Sequence, residues 1–96
     1  MALVKVGHTG TYNNTFDGVG TPGTGAPSVT NLGTDEASGT GYTSGGFTMT
    51  GYTAGNNGTT EAWIDWTTDP NWTTATISAV GAIIYNDTDA GKPAVG

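Results

Sequence analysis

Apolar residues recur along this chain with a period of two, and no stretch offers the spacing of an amphipathic helix, so strands are the expected elements. Residues 3–8 (LVKVGH) read as a first strand. Residues 9–38 are polar, carry Pro22 and Pro27, and read as one long loop. That is long for a compact domain, so the loop either hides a short strand near residues 29–32 or forms an arm that settles on a neighbour. In residues 46–54, Phe47, Met49 and Gly51 alternate with Thr48, Thr50 and Tyr52, the pattern of a half-buried antiparallel strand. Asn56-Asn57-Gly58 then predicts a tight hairpin turn, because type I′ geometry needs two residues that tolerate positive φ. The return strand is residues 61–66 (EAWIDW), with Ala62, Ile64 and Trp66 on one face and Glu61, Trp63 and Asp65 on the other; Pro70 ends it.

Residues 73–85 (TTATISAVGAIIY) form the most apolar run and are expected to be the central strand, with Gly81 marking a bulge or a close contact. Residues 86–91 (NDTDAG) read as a turn, and residues 92–95 as the start of a final strand. The whole chain, residues 1–96, therefore reads as one all-β domain, a small antiparallel sandwich or barrel with a long N-terminal loop or arm.

Composition changes this picture in one respect. Only 34% of the residues are apolar, so a single core in a chain of 96 residues is small, and oligomerisation or docking onto a larger surface is the expected extra source of stability. With no cysteine, neither a disulfide nor a thiolate-bound zinc can staple the fold. Seventeen glycines and twenty threonines suit many short strands joined by tight turns. Their densest mixture, GTGYTSGG at residues 39–46, carries no charge and is expected to launch the next strand with its flanks close to other protein.

The net charge of −6 comes from eight carboxylates against two lysines, which excludes nucleic-acid binding and disfavours anionic membranes. No apolar run approaches the roughly 20 residues of a membrane-spanning helix, and MALVKVGHTG lacks the apolar core of a secretory signal.

Candidate chemistry is sparse. His8 is the only histidine, and no nucleophile elbow surrounds any of the four serines. Glu61, Asp65 and Asp69 could supply a glycosidase-like carboxylate pair, yet acids on a solvated strand face explain the same spacing. Asp87-Thr88-Asp89-Ala90-Gly91 resembles half a calcium loop but lacks a third acid and the closing glutamate, so a plain turn is expected. Asn-x-Thr triplets at Asn13, Asn57, Asn71 and Asn86 are what chance gives in so Thr-rich a chain. The expectation is a protein that is not an enzyme and takes no cofactor or metal. Trp63, Trp66 and Trp72 could stack on sugar rings, but the favoured reading puts Trp66 in the core and Trp63 or Trp72 at a protein interface.

Two stretches together carry a resemblance. Residues 36–46 (EASGTGYTSGG), followed by residues 72–87 (WTTATISAVGAIIYND), resemble a group of small virion proteins of tailed bacteriophages, and residues 3–6 look like their opening strand. The motifs around Tyr42 and Tyr85 are the most specific parts, and the likeness covers roughly half the chain. It implies an all-β structural protein of the particle, most plausibly a head decoration (cement) protein, with tail or fibre roles as alternatives. Val80 departs from the pattern where a basic residue is common, and the chain stops at Gly96 where relatives continue. A neighbouring subunit could supply the missing sheet edge by strand addition. The expected partners are the major capsid protein and further copies of the chain, as a trimer for example, with no nucleic acid and no membrane. The expected interface residues are Leu3, Val4, Tyr42, Phe47, Tyr52, Trp63 and Trp72, with residues 2–6 and 9–34 lying on the capsid. The runner-up is a tail or fibre module that recognises a host glycan through Trp63 and Trp72.

Overall fold

A computed structural model describes residues 1–12 and 32–95. Among these residues there are six strands, β1 (Ala2–Lys5), β2 (Gly39–Thr40), β3 (Tyr52–Asn56), β4 (Ala62–Trp66), β5 (Thr76–Ile77) and β6 (Ala79–Ile83), and one 3-10 turn at Gly33–Asp35. Every strand pairing is antiparallel: β1 with β6, β2 with β5, β3 with β4. The all-β expectation holds. Among the described residues the pairings give three separate two-stranded ribbons rather than one closed sheet.

The apolar run 73–85 is not a central strand. It is divided at Ser78, with β5 serving β2 and β6 serving β1. Val4 faces Gly81 while Lys5 faces Ala79, so Val80 is an extra residue and the register shifts there. A bulge was expected at Gly81 and falls one residue before it; the alternative, a close contact at Gly81, does not occur among the described residues, where a Cβ would meet nothing within 4 Å. The first strand stops at Lys5 because residues 6 and 7 turn away.

Strand β3 begins at Tyr52, six residues later than expected. Gly46 and Gly51, at φ 83 and 71, take the chain out of the extended region. Neither position could hold a side chain, because a Cβ on Gly46 would overlap the Met1 carbonyl and one on Gly51 the Thr67 hydroxyl. Between them Phe47 pairs with residue 1, its N–H donating to the Met1 carbonyl at 2.8 Å. The stretch GTGYTSGG is thus two consecutive turns, closed by Tyr42 N–H to the Gly39 carbonyl at 3.1 Å and Gly46 N–H to the Thr43 carbonyl at 2.8 Å. Glycine is frequent there because the backbone reverses twice and then packs directly on the N-terminal strand.

The β3–β4 hairpin was expected, but its turn is not of type I′. Asn57 N–H donates to the Glu61 carbonyl at 3.1 Å, which closes a longer loop, and only Gly58 in it has positive φ. Side chains shape it: the Asn57 carboxamide oxygen accepts from the N–H groups of Thr59, Thr60 and Glu61 at 3.0–3.1 Å. At the end of the chain the expected turn at 86–91 is present, and the final strand is reduced to bridge residues at Pro93 and Ala94, Ala94 pairing with Tyr85.

Among the described residues the core is small: Ala2, Val4, Leu32 and Ile83 form it, and Tyr12, Tyr85 and Ala94 pack on its margin. Leu32 comes from the segment read as a loop or arm. Ala37 is also buried, and Glu36 bridges to Val4 of β1, so residues 32–38 are a packed part of the domain. The strand expected near residues 29–32 and the remaining arm, 13–31, lie outside the described residues. Among the described residues no helix is long and apolar enough to cross a membrane.

Candidate interaction surface

Two carboxylates organise the half of the molecule around the core. Asp35 is fully buried. Its oxygens accept from Thr9 N–H at 3.0 Å, Gly10 N–H at 2.7 Å and the Tyr12 hydroxyl at 2.8 Å, and Lys5 Nζ stands 4.0 Å away. Burial alone would raise its pKa; the backbone N–H groups of Thr9 and Gly10 and the hydroxyls of Tyr12 and Thr9 outweigh that and hold it down at about 2. Glu36 accepts from the Tyr42 hydroxyl at 2.9 Å, Ser44 Oγ at 2.8 Å and Gly45 N–H at 2.6 Å. Tyr42 in turn accepts from Leu3 N–H at 3.0 Å. Burial is the main cause that pushes the Tyr42 phenol up to about 12; the Leu3 N–H opposes it, and bonding to the Glu36 carboxylate adds to it. The Tyr85 hydroxyl donates to the Gly45 carbonyl at 2.6 Å, so both tyrosines of the resemblance motifs close on the same turn.

These contacts decide what several expected interface residues can do. Val4 is 4% exposed and belongs to the core, so its side chain is withdrawn from any surface role; β-strand alternation puts it on the same face as Ala2, in the buried cluster. Leu3 is half-buried. Tyr42, Phe47 and Trp72 are half-buried together: Trp72 stacks on Tyr42 at 6.0 Å between ring centres and meets Phe47 edge-on at 5.9 Å. Trp72 spends its ring on this internal cluster.

Tyr52 and Trp63 stand apart from that cluster, on opposite faces of the hairpin. Tyr52 is 62% exposed and meets Trp66, its cross-strand partner, edge-on at 5.9 Å. Ile64, paired with Ala54 on that face, is 47% exposed. Trp66, expected in the core, is only half-buried, because the hairpin lies beside the core rather than over it. An open groove of about 690 Å³ runs along this face, lined by Phe47, Met49, Tyr52, Ile64, Trp66 and Tyr85. On the other face Trp63 pairs with Gly55, lies over it so closely that a Cβ would strike the indole, and is still 53% exposed. Asp65, paired with Thr53, shares its face, and Glu61 precedes the strand in the same alternation.

Sequence reasoning missed the groove as a feature, although the alternation in EAWIDW already put Ile64 and Trp66 side by side. It also missed Asp35 and Glu36, which nothing in a polar Thr- and Gly-rich context marks as buried acceptors. His8 is exposed, with Nδ1 at 2.8 Å from the Gly10 carbonyl. Among the described residues no group of three or more His, Cys, Asp or Glu side chains could hold a metal ion. In comparisons with known proteins the chain matches no protein-family model, no curated protein and no solved structure.

Proposed function

We propose that this chain is a structural protein of a tailed-bacteriophage virion, a decoration protein that adheres to the major capsid protein on the outer head surface and reinforces the shell. The observation that supports the reading best is the hairpin, which leaves about half or more of Tyr52, Trp63 and Ile64 exposed on a domain whose core, among the described residues, is very small. Large apolar side chains left out in this way are the usual content of a protein contact, where aromatic anchors carry most of the binding energy. A protein that binds only the assembled shell stabilises it by mass action, so a modest contact repeated over many sites is sufficient. The glycan alternative is less well supported, since it needs two open indole faces and Trp72 is engaged with Tyr42 and Phe47.

The test is to incubate purified protein with heads lacking it and sediment them. The expected outcome is protein in the pellet and heads that withstand higher temperature before releasing DNA, with both effects reduced by Tyr52→Ala and Ile64→Thr. Recovery with purified tails instead of heads would move the protein to the tail and overturn the decoration reading.

A further inference from the structure

We infer that the Trp63 face of the hairpin is a receptor for a basic segment of a partner protein, one that lays a lysine or arginine side chain on the indole between Glu61 and Asp65. The inference rests on the hairpin being the element that docks.

Three observations converge. First, Trp63 is backed by Gly55, whose lack of a Cβ lets the ring lie against the opposite strand, and yet about half of its surface remains open. An indole held from one side and open on the other is the strongest aromatic platform for a cation. Second, the residues beside it are acids. Asp65 lies two positions along the strand and Glu61 two positions before, and neither has an ion-pair partner among the described residues: Asp65 accepts from Trp66 N–H at 2.9 Å and Glu61 from the Asn57 amide at 3.1 Å. A cation placed over the ring would be drawn by the ring and by both carboxylates.

Third, the chain cannot supply that cation. Its net charge is −6, and its two lysines are already placed, Lys5 beside buried Asp35 and Lys92 on Asp87, where it also lies 5.7 Å from the Tyr85 ring centre. A second copy would bring the same acids to this face and meet like charge, so the occupant is a different, basic protein. A neutral sugar fits less well. Sugar hydroxyls need donors as well as acceptors, whereas both ionisable groups on this face are carboxylates, the Asn57 amide is committed to Glu61, and the Thr53 hydroxyl is turned to the Asp65 carbonyl.

The experiment uses the full chain, isotopically labelled, with the Trp63 indole resonance assigned by its loss in Trp63→Phe. Three probes are titrated: a peptide of alternating threonine and lysine, the same peptide with glutamate for lysine, and a neutral glucose oligomer. The expected result is that only the lysine peptide shifts the Trp63 indole and the Gly55 and Asp65 amides. Its affinity should fall roughly tenfold in Glu61→Gln/Asp65→Asn, a change that keeps the indole, and should weaken steeply as salt is raised. Equal shifts by the glutamate peptide, shifts by the sugar alone, no shift at millimolar peptide, or indifference to the double substitution each overturn the inference. Sedimentation with heads separates the two readings. Undiminished head binding by the double variant removes this inference and leaves the decoration role, while peptide binding by a protein that ignores heads does the reverse.

Discussion

Two pairs of carboxylates, Asp35 with Glu36 and Glu61 with Asp65, divide the molecule into a pinned half and a presented half. The first pair turns inward, Asp35 with no exposed surface at all, and collects donors from residues 9, 10, 12, 42, 44 and 45. The second pair stands on an exposed ribbon beside Trp63 and meets mainly water. The residue types are the same; what differs is whether the local backbone offers free N–H groups. Residues 9–10 and 43–46 are turns or irregular chain whose amides have no ladder to join, and a carboxylate satisfies several at once. In β3–β4 fewer donors are at hand: Asp65 takes the Trp66 N–H and Glu61 the Asn57 side-chain amide, and both acids otherwise face outward. A chain with few apolar side chains is therefore held together where charged acceptors gather loose backbone, and is free to display apolar surface where the ladder suffices.

The sharpest way to break this comparison is to remove Asp35. Asp35→Ala would take the charged acceptor from two part-buried backbone N–H groups, at about 1–3 kcal/mol each, and from the Tyr12 hydroxyl, so urea unfolding should show a loss of roughly 3 kcal/mol or more. A loss below about 1 kcal/mol would mean that water replaces the carboxylate easily and that this half is not pinned by it. The same group sets the acid limit. Its folded pKa is lowered from 3.8 to about 2, so its contribution is complete above pH 4 and drains away as pH falls toward 2. In Asp35→Ala that part of the acid transition should vanish.

Gly46 should come next. Gly46→Ala places a Cβ on the Met1 carbonyl at a backbone angle that side chains avoid, and the shift it forces on the N-terminal strand should cost about 1–3 kcal/mol, read again by urea. Tyr42→Phe should cost less, about 1–2 kcal/mol, since it loses one hydrogen bond to a carboxylate and leaves Leu3 N–H without its acceptor. Alkali probes the same residue with the opposite sign to acid. A phenol raised from 10.0 to about 12 stabilises the fold fully below pH 10 and loses that contribution as pH rises through 12, so the alkaline midpoint should move in Tyr42→Phe.

The presented half was the more legible of the two in the sequence. Strict alternation in EAWIDW specified β4, its faces and its partner, because a strand that packs on little else keeps a plain period of two. The pinned half was not legible, for a physical reason: its stability comes from hydrogen bonds between residues far apart in the chain. Tyr85 reaches Gly45 and Leu3 reaches Tyr42, and no local pattern encodes such pairs. The same reason misled the reading of residues 73–85. Their apolar, β-branched composition suits one long strand, but the ribbon they must join changes at Ser78 from β2 to β1, which only the distant partners dictate. Ala37 looked like loop because it is a lone apolar residue between polar ones, and Leu32 read as either the end of a short strand or part of an arm.

The smallest expected effect is also the one that tests whether the two halves are energetically distinct. Trp63→Ala removes a large side chain, yet one that is half open and lies over Gly55 on an exposed ribbon, so global stability should change by no more than about 0.5 kcal/mol. A two-stranded ribbon without a further layer is marginal by itself, so in the free protein the β3–β4 amides should exchange with solvent well before those of β1 and β6, whose side chains Ala2, Val4 and Ile83 form the core. Trp63→Ala should quicken exchange in the hairpin alone. If hairpin and core amides instead exchange together, and the substitution lowers the protection of both, the hairpin is part of one cooperative unit; its exposed aromatics would then contribute to the fold, and the division into a pinned half and a presented half would be wrong.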